Sequence, residues 1–226
     1  MHSASSSASV LSDAQRQKQN TRPDRDFYRQ PRLVQHVDER FRERLTELYR
    51  NQLCAGDDVL DLMSSWVSHL PQEMQLGRVV GHGMNEEELA SNDQLEDYFV
   101  QNLNETQRLS IADDSFDAVL CAVSVQYVQY PESVFAEVAR VLKPGGRVIV
   151  SFSNRMFAQK AIRAWRKATG PDRLQLVERY VETTEAFEDV QTISEHPFVP
   201  PTQRFLGGAP DPFYAVHAQT RRGADQ

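Results

Sequence analysis

The sequence predicts a doubly wound α/β domain with a mostly parallel, seven-stranded sheet and an antiparallel C-terminal strand. Short apolar runs that favour β-strands alternate with segments of helical periodicity from about residue 58 to residue 170. Two further strand-like runs, 187–193 and 212–217, have no helical pattern between them. Consecutive strands without a crossover helix pair antiparallel, so the last strand is expected to run against the others.

Composition narrows the classes of function and the domain organisation. The 226 residues carry 32 Asp and Glu against 25 Lys and Arg, which disfavours a nucleic-acid partner. No apolar stretch approaches the roughly 18 residues of a membrane span, and residues 1–20 lack a signal-peptide core. We therefore expect a cytoplasmic or organelle-stroma protein, neither secreted nor membrane-spanning. Residues 1–25 are expected to form a flexible tail, 26–220 one domain and 221–226 a disordered tail, and whether 1–20 are a targeting segment stays open.

The first half of the domain begins with a predicted helix. Apolar residues at helical spacing run from Val34 to Leu48, and Gly56 ends the pattern. The first strand is expected over 58–62, followed by a turn into a short helix that Pro71 limits. A second strand is expected over 78–81, a helix capped by Asn85, and a third strand over 98–100.

The second half repeats the alternation. A fourth strand is expected over 118–123, a helix from Pro131, a Pro-Gly turn over 143–146 and a fifth strand over 147–152. Beyond it, Phe157, Ala161 and Trp165 share one helical face. Basic residues on the other face are expected to be solvated, namely Lys160, Arg163, Arg166 and Lys167.

The stretch around Asp61 is the expected ligand corner of this sheet. A buried strand ends there in an acid and a small polar turn, Ser64-Ser65. In open α/β sheets, ligands bind at the carboxyl ends of the strands, where loop backbone N–H groups face them.

Two later motifs carry a resemblance to a family. Phe116-Asp117-Ala118-Val119 before the fourth strand and Leu142-Lys143-Pro144-Gly145-Gly146 before the fifth resemble the type 11 class I methyltransferases, which use S-adenosylmethionine (SAM). The similarity extends from about residue 57 to 218, and a Leu-Asp-Leu-x-Ser-Ser-Trp motif I is similar to a divergent branch. The resemblance implies a Rossmann-like fold, SAM as cofactor and a small-molecule methyl acceptor.

The sequence departs from the family pattern at two places. Met63, Ser65 and Val67 stand where the family has glycines, and Gly83 stands where it has the acid that holds the ribose hydroxyls. Loss of that acid would remove about 1.5–3 kcal/mol of binding. These departures leave a second interpretation open, a non-catalytic relative that binds a metabolite or a protein partner.

The resemblance also supplies candidate site residues. Those for the cofactor are Asp61, Met63, Ser64, Ser65, Gly83, Met84, Asn85, Asn102, Leu103 and Ala122. Those for the acceptor are Tyr28, Ser124, Gln126, Tyr127, Asn154 and Arg155. For three of them a simpler interpretation stays open: Asn85 as a helix cap, Asn102 as a turn residue and Tyr127 as core.

No catalytic residue is assigned, and the six histidines show no metal-ligand spacing. In related folds the segment that precedes the leading helix covers the cofactor. Phe27, Tyr28 and Arg32 are therefore expected to belong to a lid.

Overall fold

The computed structural model describes residues 9–197 and 210–222 and confirms the predicted fold. Seven strands form one sheet, in which the last strand runs antiparallel to both of its neighbours. The strands are β1 Val59–Leu62, β2 Val79–Gly83, β3 Asp97–Val100, β4 Phe116–Ala122, β5 Leu142–Phe152, β6 Phe187–Glu195 and β7 Phe213–Thr220. The helices are α1 Asp13–Arg16, α2 Asp24–Tyr28, α3 Glu39–Gln52, α4 Glu86–Ala90, α5 Pro131–Val141, α6 Arg163–Lys167 and α7 Gly170–Glu182.

The order of the strands places the ligand edge. The strand order in the sheet is β3-β2-β1-β4-β5-β7-β6. β2 and β3 therefore lie on one side of β1, and β4 lies on its other side. The carboxyl ends of β1 and β4 therefore flank the point where the strand order reverses. Open sheets of this kind bind ligands in the crevice at that point.

The core consists of two layers, one on each face of the sheet. One layer packs the apolar side of α3, including Phe41, Leu45 and Tyr49, against the sheet. The other packs α5 and α7 on the opposite face, and it includes Phe135 and Tyr180. Because both faces are covered, β1 and β4 are apolar nearly throughout, as parallel strands usually are.

The expected tail boundary is corrected for residues 9–25, which pack against the domain. Leu11 is buried in the core layer of α5. The Glu132 carboxylate accepts a hydrogen bond from the Val10 N–H at 2.7 Å and forms an ion pair with Arg16 at 2.9 Å. The periodicity of the sequence could not show this, because both contacts join residues more than 110 positions apart. Residues 1–8 and 223–226 lie outside the described part.

The leading helix begins later than expected. α3 starts at Glu39 because the Asp38 side chain caps it, accepting a hydrogen bond from the Phe41 N–H at 2.8 Å. Val34, which the pattern assigned to the helix, is exposed and lies before it. Residues 31–37 are thereby left to run as an irregular segment across the ligand edge of the sheet.

The prediction of a helix after the first strand is wrong. Residues 63–78 contain no helix, and both Met63 and His69 have a positive φ, near 60°. Side chains from elsewhere hold this loop. The Asn92 amide donates to the Ser65 carbonyl oxygen and to the Ser68 hydroxyl, at 3.0 and 2.9 Å. These long-range bonds take the place of helical hydrogen bonds.

The C-terminal third also differs from the expectation. β5 begins at Leu142, and the predicted 143–146 turn is an irregular stretch inside it, with Gly145 at φ +77°. The helix expected over 157–167 is confined to α6, and Lys160 is fully buried rather than solvated.

α7 was not among the elements predicted from the sequence. Its signals were Thr169, whose side chain accepts from the Asp172 N–H, and an apolar stripe that includes Leu176 and Tyr180. The two final strands pair antiparallel as predicted. Most of the loop that joins them, 198–209, lies outside the described residues.

Candidate active site

A cavity of about 340 Å³ lies at the carboxyl ends of β1 to β5. Its volume falls within the range of about 300–1,000 Å³ that is typical of small-molecule sites. All ten residues predicted for the cofactor line it. Of the six predicted for the acceptor, Tyr28, Ser124, Tyr127 and Arg155 line it as well.

Two predicted acceptor residues do not line the cavity. Gln126 is buried, and its amide donates to the Val123 carbonyl oxygen at 2.7 Å. Asn154 is exposed to solvent. Gln126 lies in a short 3₁₀ turn, which directs its side chain back into the protein.

Asp61 is a buried carboxylate at the end of β1. It is 3% exposed, and the Ser64 hydroxyl donates to it at 2.5 Å. Within the described residues no cation lies within ion-pair distance of it. Burial raises the pKa of Asp61 to about 6, although the hydrogen bond from Ser64 acts in the opposite direction. This carboxylate therefore faces the cavity without a partner charge.

The loop after β1 keeps glycine-like geometry without glycine. Met63 has φ +60°, a region that costs a residue with a side chain about 1–2 kcal/mol. His82 holds it there: Nδ1 accepts from the Met63 N–H at 3.1 Å, and Nε2 donates to the Gln101 carbonyl oxygen at 3.0 Å. Burial lowers the pKa of His82 to about 4, so the ring is neutral at pH 7 and can accept. Val123, at the end of β4, also has a positive φ, +52°.

Gly83 has no room for the acid that the family places there. A Cβ built on this residue would lie 2.7 Å from the Ser64 carbonyl oxygen and 3.1 Å from Leu89. The loop after β1 occupies the space that an aspartate side chain would need. The loop can follow this path only because residue 83 has no side chain.

Glu88 brings a carboxylate to the same region from the first turn of α4, five residues after Gly83. It accepts a hydrogen bond from the Ser65 hydroxyl at 2.6 Å and one from the Arg32 N–H at 2.8 Å. It lines the cavity, and the sequence analysis missed it because acids in a first helical turn are ordinary. Glu88 thus joins the loop after β1 to the segment that precedes α3.

Asn85 and Asn102 each use a side-chain oxygen for a local hydrogen bond, and Asn85 also makes a long-range one. The Asn85 side-chain oxygen caps α4 through the Glu88 N–H at 3.0 Å, and its amide donates to the Tyr28 carbonyl oxygen at 2.8 Å. The Asn102 side chain accepts from the Asn104 N–H at 3.0 Å, which stabilises its own turn. The cap and turn interpretations thus account for the two side-chain oxygens, whereas the Asn85 amide holds the segment at Tyr28; both residues line the cavity.

The segment over 28–37 forms one wall of the cavity; Tyr28 and Arg32 line it and Phe27 does not, and the covering of a bound cofactor by this segment stays a prediction. Cavity-lining residues from this segment are Tyr28, Arg32, Val34, Gln35, His36 and Val37. The segment is tied down at Asn85 and Glu88 and also by Trp66, whose indole N–H donates to the Val34 carbonyl oxygen at 3.2 Å. Trp66, in the loop after β1, is a further wall residue that the sequence analysis did not select.

Two absences concern only the part of the chain that the structure describes. Within residues 9–197 and 210–222, no three His, Cys, Asp or Glu side chains come together as a metal site would require. Over the same residues, no helix has the length and apolar character to cross a bilayer.

Comparison with known proteins agrees with this architecture. A family model described as a methyltransferase domain matches residues 64–150. The methyltransferase GfsG of Streptomyces halstedii is 32% identical over 119 residues, which are 48% of this chain and 43% of that protein. The chain spans less than half the length of the curated relatives it matches.

Solved structures show the same fold at low sequence identity. One is a chain of the complex between the Haloferax volcanii Trm112 methyltransferase activator and a methyltransferase, with a TM-score of 0.61 and 16% identity over 81% of this chain and 92% of that one. Another is the Haemonchus contortus phosphoethanolamine N-methyltransferase 2 in complex with SAM, with a TM-score of 0.56 and 16% identity. The match covers 80% of this chain and 52% of that one.

Proposed function

We propose that this chain is a class I, SAM-dependent methyltransferase and that it transfers the methyl group of SAM to a small-molecule acceptor; the methyltransferase-domain match, the curated relatives and the shared fold support this. The observation that carries the proposal is Asp61, a buried carboxylate with no ion-pair partner in the described part of the chain, which lines a cavity at the point where the strand order reverses. The methionine part of SAM carries an ammonium group that would supply the missing charge.

The remaining cofactor residues suit the other parts of SAM. Ser64 and Ser65 offer hydroxyl groups at the methionine end, and Met84 and Leu103 offer apolar surface for the adenine. Bound SAM supplies an activated methyl group on a sulfonium, so the protein has mainly to bind, orient and exclude water. An acidic chain with a concave cavity of about 340 Å³ also fits a small acceptor better than a nucleic acid.

Binding and transfer can be tested separately. Calorimetry with SAM and with S-adenosylhomocysteine should show binding to the purified protein, and mass spectrometry should then detect methylated products in an acceptor panel. Binding of both ligands with no transfer to any acceptor would favour the non-catalytic relative. If neither ligand binds at millimolar concentration, the proposal is wrong.

We further propose that Glu88 holds the ribose hydroxyls in place of the acid that Gly83 cannot carry. Glu88→Gln should weaken S-adenosylhomocysteine binding by about 10- to 100-fold, the effect of losing one charged hydrogen bond. The same substitution should weaken binding of the 2′-deoxyribose analogue much less, because this analogue lacks the hydroxyl that would donate to the carboxylate. Isothermal calorimetry with both ligands measures the difference.

Glu87→Gln is the matched control, since it removes the same charge from an exposed position of α4. It should bind both ligands like the parent protein. If Glu88→Gln lowers the affinity for both ligands equally, Glu88 serves only to hold the segment 28–37 through its hydrogen bonds with Ser65 and Arg32. Adding Gly83→Asp to Glu88→Gln should not rescue binding, because Ser64 occupies the space.

A further inference from the structure

The part of the cavity beyond the end of β4 has an aromatic wall, formed by Tyr28, Tyr127 and Phe157. The Tyr127 and Phe157 rings are stacked with an interplanar angle of 24° and centroids 6.1 Å apart, and Tyr28 meets Tyr127 edge-on at 6.3 Å. The Tyr127 hydroxyl accepts a hydrogen bond from the Phe157 N–H at 2.9 Å, which fixes the two rings relative to each other. This wall offers fixed flat surfaces to a ligand.

Arg32 brings a positive charge to this wall. Its guanidinium carbon lies 5.2 Å from the Phe157 ring centroid and 4.7 Å from that of Phe27. One of its N–H groups donates to the Phe27 carbonyl oxygen at 2.9 Å, and among the described residues no carboxylate forms an ion pair with it. Arg155, the other arginine of the cavity, is instead paired with Asp211 at 2.6 Å. Arg32 therefore retains N–H groups for an anion.

The Tyr28 hydroxyl is a second unused polar group. It is buried and has no hydrogen-bond partner among residues 9–197 and 210–222, although its residue lines the cavity. Burial raises the pKa of this phenol well above its usual value, so it stays protonated and can donate. A buried hydroxyl without a partner is destabilising, and a ligand oxygen that accepted its hydrogen bond would remove this cost.

We propose that the methyl acceptor is a planar, conjugated small molecule that carries a carboxylate. Its ring lies against the aromatic wall, and its carboxylate accepts hydrogen bonds from Arg32 and the Tyr28 hydroxyl. The inference rests on the proposed function, because it assigns the acceptor end of the same cavity. A planar guanidinium suits a carboxylate better than a simple point charge would, because it can donate two parallel hydrogen bonds.

The test uses two matched series of probes on protein saturated with S-adenosylhomocysteine. One series is 4-hydroxybenzoate, its methyl ester and the saturated 4-hydroxycyclohexanecarboxylate, and the other is indole-3-acetate with its methyl ester. Calorimetry should show each aromatic acid binding at least tenfold more tightly than its ester, and 4-hydroxybenzoate at least tenfold more tightly than the saturated acid. Arg32→Ala should abolish the preference for acid over ester, whereas Arg29→Ala, an exposed change in the same segment, should keep it.

Three results would overturn the inference. The first is the lack of an acid-over-ester preference in both series, and the second is equal binding of the saturated and aromatic acids. The third is an Arg32→Ala variant that loses S-adenosylhomocysteine as strongly as 4-hydroxybenzoate, while 5′-methylthioadenosine binds normally. Arg32 would then hold the carboxylate of the cofactor. If S-adenosylhomocysteine does not bind to the parent protein, the proposed function fails instead, and the two failures are distinct.

Discussion

Replacing Asp61 by asparagine is expected to weaken the binding of S-adenosylhomocysteine and to remove a pH-dependent cost from the unliganded fold. In the folded protein, burial raises the pKa of Asp61 to about 6, against about 4 in an unfolded chain. The folded state therefore holds the proton more tightly, and stability from this group is fully present below about pH 4 and lost as the pH rises through 6. About two pKa units correspond to about 3 kcal/mol at pH 7.

Chemical denaturation of parent and Asp61→Asn protein between pH 4 and pH 7 measures this effect. The free energy of unfolding of the parent, minus that of the variant, should fall by about 2–3 kcal/mol over this range. Asp93→Asn, an exposed change, serves as the control and should show no such trend. A difference that stays constant with pH would mean that Asp61 is ionised without cost.

The same residue predicts the pH dependence of ligand binding. An ammonium can pair only with the ionised carboxylate, so the affinity of the parent for S-adenosylhomocysteine should fall below about pH 6. In Asp61→Asn the affinity at pH 7 should be lower by about 1–3 kcal/mol, and its decline in acid should be lost. Calorimetry at pH 5, 6 and 7 measures both. Parallel pH profiles for the two proteins would place the ammonium elsewhere.

Asp24→Asn is expected to destabilise the fold by about 3–5 kcal/mol, the cost of breaking a buried ion pair from one side. Asp24 is 8% exposed and pairs with two lysines, Lys18 at 2.5 Å and Lys160 at 3.0 Å. The variant would leave both ammonium groups buried without a carboxylate. Lys160→Met should cost less, because Lys18 and Asp24 would then remain as a neutral pair.

Thermal and urea unfolding of the two variants measure this order. Asp26→Asn lies on the same short helix at an exposed position and is the matched control. Burial opposes ionisation of Asp24, but the bonds from Lys18, Lys160 and Asn104 outweigh it and hold its pKa below the usual value. Its stabilisation is therefore present above about pH 4 and lost in acid, opposite to Asp61. An Asp24→Asn variant as stable as the Asp26→Asn control would show that the cluster is not important for the fold.

The alternation of strands and helices could be predicted from the sequence because it depends on neighbouring residues. Three apolar residues around Asp61 indicated β1, the apolar run over 118–123 indicated β4, Pro131 marked the start of α5, and Asn85 marked the cap of α4. Strand ends in a parallel sheet share one edge, so these local signals also placed Asp61, Gly83 and Ala122 around one cavity. Periodicity and caps act within a few residues, and the sequence displays them directly.

Contacts between distant residues could not be predicted in this way. Whether 63–78 would be a helix was decided by Asn92, which bonds the loop after β1 from 27 positions away. Lys160 was expected in water, but Asp24, 136 positions earlier in the chain, keeps it buried. For a charged side chain the sign of the burial energy depends on a partner, and the sequence around it does not reveal that partner.

The sequence by itself determined the fold class, the ligand edge of the sheet and the family resemblance at motif I and at 142–146. The tertiary structure decided that, among residues 9–197 and 210–222, Asp61 and Arg32 line the cavity without an ion-pair partner and the Tyr28 hydroxyl is buried without a hydrogen-bond partner. It also decided that Gly83 can carry no acid and that Glu88 stands beside it. The physical reason is that helix and strand signals depend on residues close in sequence. Whether a charge or a hydrogen-bonding group finds a partner depends on the residues that surround it in the folded structure.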